Sequence, residues 1–356
     1  MSGKMLESRR KALRNLVAAG CTHSGLWFDR FLSAQRAEEG GGTGAATEAG
    51  DQPRTALVKE VAAMKSPALY AEFFTRWRAQ LEAFGAQIRE AEVTGRLIVG
   101  LGAESATETS IHLHRTYGVP VIPGSALKGL ASAYAHQRLA SDEWRKLTQA
   151  QAQGAAHRVM FGSMTDKAPA MGYVTFFDAL WMPDSARGPL AADVMSVHHA
   201  AYYRGEHAPP ADWDSPTVVP FLTATGKFLI ALAGPEKWVD AAFELLDGAL
   251  AEMGVGAKTT AGYGRMTLGK KPEPPPDPSL EAAEKIIEAV NSLRPNEVAS
   301  QLQKKSEGWS ALPDGSPGKL KAAQVIVEKA RSWKGAKKQP WFQEILAYCD
   351  RYGKSS

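Results

Sequence analysis

The chain has only two cysteines in 356 residues, Cys21 and Cys349, at opposite ends. That excludes a disulfide framework and offers no zinc-binding spacing, and it fits a reducing cytoplasm. No run approaches the eighteen or so apolar residues that would span a membrane. The opening segment, MSGKMLESRRKALRNLVAAG, is too polar and broken for a secretory signal. There is no internal repeat. Carboxylates are not clustered for Mg²⁺, and the histidines are scattered over separate segments, so no metal and no cofactor are expected. Charge of one sign is not in great excess: the net +4 permits nucleic acid as a partner without demanding it.

Glycine, by contrast, is concentrated where chemistry could use it. Gly254 to Arg265 reads GVGAKTTAGYGR, with Gly254, Gly256, Gly262 and Gly264 around Lys258, Thr259, Thr260, Tyr263 and Arg265. Glycine tolerates positive φ and admits close backbone approach, lysine, arginine and hydroxyls suit phosphate oxygens, and a tyrosine face suits a base. The spacing is not that of a Walker A loop, which would need glycine at the positions of Ala257 and Glu252. Nor is it a dinucleotide fingerprint, because Thr259 stands where the third glycine belongs and a helical pattern precedes the loop instead of following it. Trp238, Ala242, Leu245, Leu246, Ala249, Leu250 and Met253 give that pattern, with Gly254 as its stop. The loop reads either as a polyanion cradle or as a plain helix-to-strand connector.

A second corner, Val119 to Gly129, reads VPVIPGSALKG. Pro123-Gly124 stops an apolar run, Ser125 can cap the helix that follows, and Lys128 falls near that helix's start, where free N–H groups favour an anion. A simple strand-turn-helix junction is the other reading.

Taken together, the two corners resemble the RAMP superfamily of CRISPR proteins, on its type III-B branch. The order of the intervening elements supports this: AAH at 155–157, MFGS at 160–163, GYVTFFDA at Gly172–Ala179, DVMSVHHAAYY at Asp193–Tyr203 and SPTVVPFL at Ser215–Leu222. So does THSGLWFDRFL at Thr22–Leu32, and the likeness covers roughly residues 10–270. The resemblance implies an α+β, ferredoxin-like (RRM-like) fold. It implies a non-catalytic subunit of an RNA-guided interference complex, binding guide RNA near its 3′ end or the guide–target duplex. Its partners would be guide and target RNA and other Cmr subunits: the backbone RAMP subunit, the small helical subunit and the first-numbered RAMP subunit. A guide-processing endoribonuclease using His112, His114 or His198, and a purely structural cap, are the alternatives.

The elements follow. Residues 1–92 read as a helical region (helical patterns over 4–36 and 56–91) interrupted by a flexible Gly-rich loop at 38–53. Residues 93–271 read as the ferredoxin-like domain, with strands expected at Arg96–Gly102, Thr109–Ile122, Gly172–Trp181, Lys227–Gly234 and around Arg265–Leu268. Within it, 183–224 is a long excursion with little periodicity, expected to act as a thumb through His198, His199, Tyr202, Tyr203 and Arg204. A Pro-rich linker at 272–279 leads to a lysine-dense helical appendage at 280–356. RNA contacts are expected from Gly124, Ser125 and Lys128, from those thumb residues, and from Gly256, Lys258, Thr259, Thr260, Gly262, Tyr263 and Arg265.

Overall fold

The computed structural model describes residues 5–7, 13, 15–20, 22–36, 52–148, 152–163, 169–197, 202, 205, 209–212, 217–271 and 277–353. The chain divides into two compact units, Met1–Lys271 and Pro272–Ser356.

The first unit is built on one antiparallel sheet. Its strands are β1 (Gln87–Val93), β2 (Val121–Ile122), β3 (Thr175–Phe176), β4 (Ala179–Trp181), β7 (Lys227–Ala233) and β8 (Met266–Leu268); β5 (Leu190–Val197) and β6 (Thr217–Ala224) form a separate hairpin. The sheet runs β8-β1-β7-β4-β2, with β3 also pairing to β7. Register is set by Lys227↔Glu92 through Leu232↔Gln87 in the centre and Met266↔Val93 at the edge. Helix α4 (Gly124–Arg138) follows β2, and α6 (Glu236–Glu252) joins β7 to β8. Taking β1, α4, β4, β7, α6 and β8 in chain order gives the β-α-β-β-α-β alternation of a split βαβ unit, with β2 added at the edge.

Helix α6 shows why the sequence folds this way. Val239, Ala242, Phe243, Leu246 and Leu250 recur at three and four and are all buried. The helix stops where the Gly254 N–H turns back to the Ala249 carbonyl at 2.9 Å with φ of 76°. In β7, Phe228 through Leu232 have no exposed surface, so this central strand is covered on both faces, while β1 beside it exposes Glu90 and Glu92 and the edge strand β8 exposes Thr267.

Helices α1 (Ser24–Arg30), α2 (Gln52–Ala62), α3 (Ala68–Ala83) and α5 (Ala155–Phe161) complete the described helices of this unit. Short ladders pair Met5–Glu7 with Ala34–Arg36 and Gly162–Ser163 with Ala170–Met171. Trp181 is 2 % exposed, and its carbonyl accepts from the Tyr70 hydroxyl, tying α3 to the sheet.

Three expectations are corrected. The first sheet strand is Gln87–Val93, beginning inside the 56–91 stretch expected to be helical: α3 ends at Ala83, and the end of the strand alternates, with Ala91 and Val93 buried and Glu90 and Glu92 exposed. Arg96–Gly102 and Thr109–Val119 do not enter the sheet and contribute only isolated bridges, Leu97↔Ala224 and Leu113↔Pro120. The 183–224 excursion contains an eight-pair hairpin: its root is buried at Phe221, Leu222 and Ala224, and Val194 and Val218 emerge towards its far end.

The second unit is helical: α7 (Pro278–Asn291), α8 (Val298–Lys305), α9 (Pro317–Ala330) and α10 (Pro340–Tyr352) enclose a separate core that includes Val290, Leu302, Trp309, Ile326 and Phe342. Proline opens three of these helices at a first-turn position, where its missing N–H costs nothing. Lys319, 6 % exposed, lies between the rings of Trp309 and Tyr348 and reaches Asp314 at 2.6 Å.

Candidate nucleic-acid interface

Residues 96–98 organise the glycine loop. The Arg96 carbonyl accepts from Gly264 N–H at 2.8 Å, and the Ile98 carbonyl accepts from Ala257 N–H at 2.8 Å. Between them Leu97 exchanges both backbone hydrogen bonds with Ala224 at the hairpin root, at 3.0 and 2.7 Å. One extended segment thus holds the loop on one side and the hairpin on the other. This is why it cannot also serve as a sheet strand.

The glycines of the loop divide by task. A Cβ on Gly256 would sit 2.1 Å from the Ile98 carbonyl oxygen, and one on Gly264 would sit 1.9 Å from that of Val255. A Cβ on Gly254 would meet the Tyr263 oxygen at 2.9 Å. These three glycines let backbone pack on backbone within the protein. Gly262 has φ of 90° and open space around it. It is the one whose freedom serves the loop's outer surface.

That outer surface centres on Lys258. Its φ is 55°, left-handed for a residue with a side chain, a conformation that costs about 1–2 kcal/mol. Thr259–Ala261 then form a single 3₁₀ turn. Its closing bonds run from Ala261 N–H to the Lys258 oxygen and from Gly262 N–H to the Thr259 oxygen. The N–H groups of Lys258, Thr259 and Thr260 have no hydrogen-bond partner among the described residues. Lys258 and Thr260 are exposed, and the Lys258 ammonium makes no ion pair with any described residue. A left-handed residue followed by right-handed ones turns successive N–H groups to one side, the arrangement of an anion nest. Arg96, also exposed and without an ion pair among the described residues, belongs to the same neighbourhood through its carbonyl's bond to Gly264. Sequence reasoning missed it because it lies some 160 positions upstream and outside any motif.

Tyr263 and Arg265 are employed otherwise than expected. The Tyr263 hydroxyl donates to Asp193 Oδ2 at 3.1 Å and its ring lies tilted on Phe221, so it binds the loop to the hairpin. Burial and the Asp193 carboxylate push its pKa up. Arg265 reaches the Ala251 carbonyl at 3.3 Å, satisfying the end of α6.

The second corner is closed. Gly124 N–H donates to Asp178 Oδ1 at 2.7 Å, so a carboxylate already occupies the start of α4. A Cβ on Gly124 would lie 2.2 Å from the Phe176 oxygen, which makes this glycine a packing residue. The cap position is Pro123 and not Ser125, which lies exposed inside the helix. Lys128 is half-buried with no ion pair among the described residues. Of the thumb residues, Tyr202 is exposed, while His198, His199, Tyr203 and Arg204 lie outside the described residues.

The histidines of the enzyme alternative also have places. His23, His112 and His114 line a cleft of about 780 Å3 with Phe73, Trp77 and Asp178. His23 Nδ1 accepts from Leu26 N–H at 3.1 Å and its Nε2 donates to the Arg115 carbonyl at 2.9 Å, so both nitrogens are committed. His114 Nδ1 accepts from Thr116 N–H, its ring packs on Phe73 and Tyr117, and burial lowers its pKa. His112 is exposed and, like His114, lies outside the strands of the sheet, on the wall of the same cleft. His157, 3 % exposed, bonds Ser132 on α4 and Gln153, and burial takes its pKa down to about 4. Among the described residues no three His, Cys, Asp or Glu side chains converge as a metal would need, and no helix is long and apolar enough to cross a membrane.

Residues 90–267 match the family profile described as the RAMP superfamily. A relative from Pyrococcus furiosus, the CRISPR system Cmr subunit Cmr6, is 33% identical over 252 residues, covering 57% of this chain and 74% of its own length. Among solved structures, the crystal structure of Cmr6 from Pyrococcus furiosus matches at 30% identity and a TM-score of 0.33, covering 51% of this chain and 97% of that one. A chain of the Type III-B Cmr-beta complex bound to cognate target RNA, solved by cryo-electron microscopy, matches at 18% identity and a TM-score of 0.46, over 62% of this chain and 71% of that one.

Proposed function

The chain belongs to the RAMP superfamily, and from that premise we propose that it is a non-catalytic, RNA-binding subunit of a type III-B CRISPR effector complex. It holds guide RNA near its 3′ end, or the guide–target duplex, beside the backbone, small helical and first-numbered RAMP subunits. The observation that carries the reading is the Lys258 turn: an exposed lysine without an ion pair, in a turn with three backbone N–H groups that have no partners among the described residues. Such a site grips a phosphate and ignores the base, as a subunit serving guides of varying sequence requires.

The non-catalytic reading is supported by the state of the described histidines. His23 and His157 spend both ring nitrogens on internal hydrogen bonds, and His114 Nδ1 accepts from the Thr116 N–H. Binding by purified protein to single-stranded RNA, measured over a salt series, tests the first part: Lys258→Ala should flatten the slope by about 0.7 log units per log unit of salt. An unchanged slope removes the loop from the interface. The second part is tested by incubating the protein with repeat RNA in chelator. Cleavage that disappears in the His112→Ala, His198→Ala, His199→Ala triple variant would establish the processing enzyme instead.

A further inference from the structure

The second unit lies beyond the matched family segment, which ends at residue 267. Its own residues point to a use. Between Lys329 and Lys338 the sequence reads KARSWKGAKK: five cations, no carboxylate, and an indole in the middle. Glu328 precedes the run and the next carboxylate after it is Glu344.

The corner is ordered. Trp333 N–H bonds the Ala330 carbonyl, Ala336 N–H bonds that of Trp333, and Lys338 and Gln339 N–H bond those of Gly335 and Ala336. Ala336 is 2 % exposed, and Trp333 and Trp341 are half-buried against the helical core. Cations on such a frame lose less freedom on binding than cations on a loose tail.

Two lysines of this unit have partners inside it. Lys319 is buried and paired with Asp314, and Lys329 turns to the Asn291 carbonyl at 3.0 Å. Arg331, Lys334, Lys337 and Lys338 are all exposed, and none of their side chains makes a hydrogen bond or ion pair with a described residue. Lys285, Arg294, Lys304, Lys305, Lys321 and Arg351 are exposed in the same way, but only this corner sets four such cations in a stretch, 329–343, that has no carboxylate. The apolar surface does the reverse: no large hydrophobic side chain is exposed among the described residues of 277–353. A membrane or a protein partner would be expected to find an apolar anchor. A polyanion needs none.

We propose that the corner formed by the end of α9 and the turn into α10 is a second RNA-binding site, which grips single-stranded phosphate backbone through Arg331, Lys334, Lys337 and Lys338. The site is independent of the Lys258 loop and would stand if that reading fell.

The test uses the full chain, labelled oligouridine and a salt series. In the Arg331→Ala, Lys334→Ala, Lys337→Ala, Lys338→Ala variant, affinity at low salt falls about tenfold or more and the slope flattens by about 0.7 for each phosphate no longer neutralised. The same loss appears when the four changes are made in a Lys258→Ala background, which separates the two sites. Replacing the three lysines by arginine keeps the slope. A Lys337→Gln, Lys338→Gln pair gives the smaller loss of two charges should the fourfold variant fold poorly. Unchanged affinity and slope in both variants would overturn the proposal. So would a loss of binding to phosphatidylserine-containing vesicles with no loss towards RNA.

Discussion

Two glycine corners with similar composition have opposite fates. At Gly124 the chain folds a carboxylate, Asp178, onto the start of α4, and the glycine exists so that Phe176 can pass at van der Waals distance. At Lys258 no carboxylate arrives, the turn keeps its N–H groups free among the described residues, and Gly262 faces open space. Glycine beside lysine is therefore not in itself a phosphate site. What distinguishes the two is whether the protein supplies its own anion.

The hardest test of that contrast is to add a methyl group. Gly264→Ala would force a Cβ against the Val255 carbonyl at a φ of 75°, and should cost on the order of 4 kcal/mol in urea denaturation. Gly262→Ala meets nothing and pays only the left-handed conformation, about 1 kcal/mol. Equal losses would mean that the loop's glycines are not divided between packing and surface.

Acid should separate the elements around α4 from the helical unit. His157, bonded to Ser132 on α4, has a folded pKa of about 4 against an ordinary 6.5. The unfolded chain therefore takes up the proton first, and stability falls as pH drops from about 6.5 towards 4, by about 3 kcal/mol in total. Every histidine of the chain lies before residue 208, so the second unit has no such term. Stability of His157→Gln measured against pH should lose this slope; retention of the slope would place its origin elsewhere.

Binding sharpens the comparison at smaller scale. Lys258→Ala should weaken RNA binding about three- to tenfold near physiological salt, while Lys128→Ala, at the occupied corner, should change it less than twofold. Arg265→Ala should affect the stability of α6 more than RNA affinity, since its guanidinium is spent on Ala251. Least of all, Asp178→Asn keeps the oxygen that accepts from Gly124 but removes the charge, and should cost under about 1 kcal/mol by thermal melting.

Much of the sheet was legible from the chain. Lys227–Ala233 announced itself as an apolar run, and the helix to Glu252 by its spacing, because both are buried on a regular period. The Gln87–Val93 strand was not, since it carries Arg89, Glu90 and Glu92 and continues directly from a helical pattern. Arg96–Gly102 looked like a strand for sound local reasons; what decides its role is Ala224 and Gly264, more than a hundred residues away. At the candidate site, the exposure of Lys258 follows from the loop itself. The diversion of Tyr263 and Arg265 does not, because Asp193 and Ala251 enter only through tertiary packing.

Leu97 has one more implication. Besides running on into β8 and β7, loop and hairpin are joined through adjacent peptide groups of a single short segment and again by Tyr263 and Asp193. Loop and hairpin root thus share one support, so a substitution that displaced the Arg96–Ile98 backbone would loosen both at once.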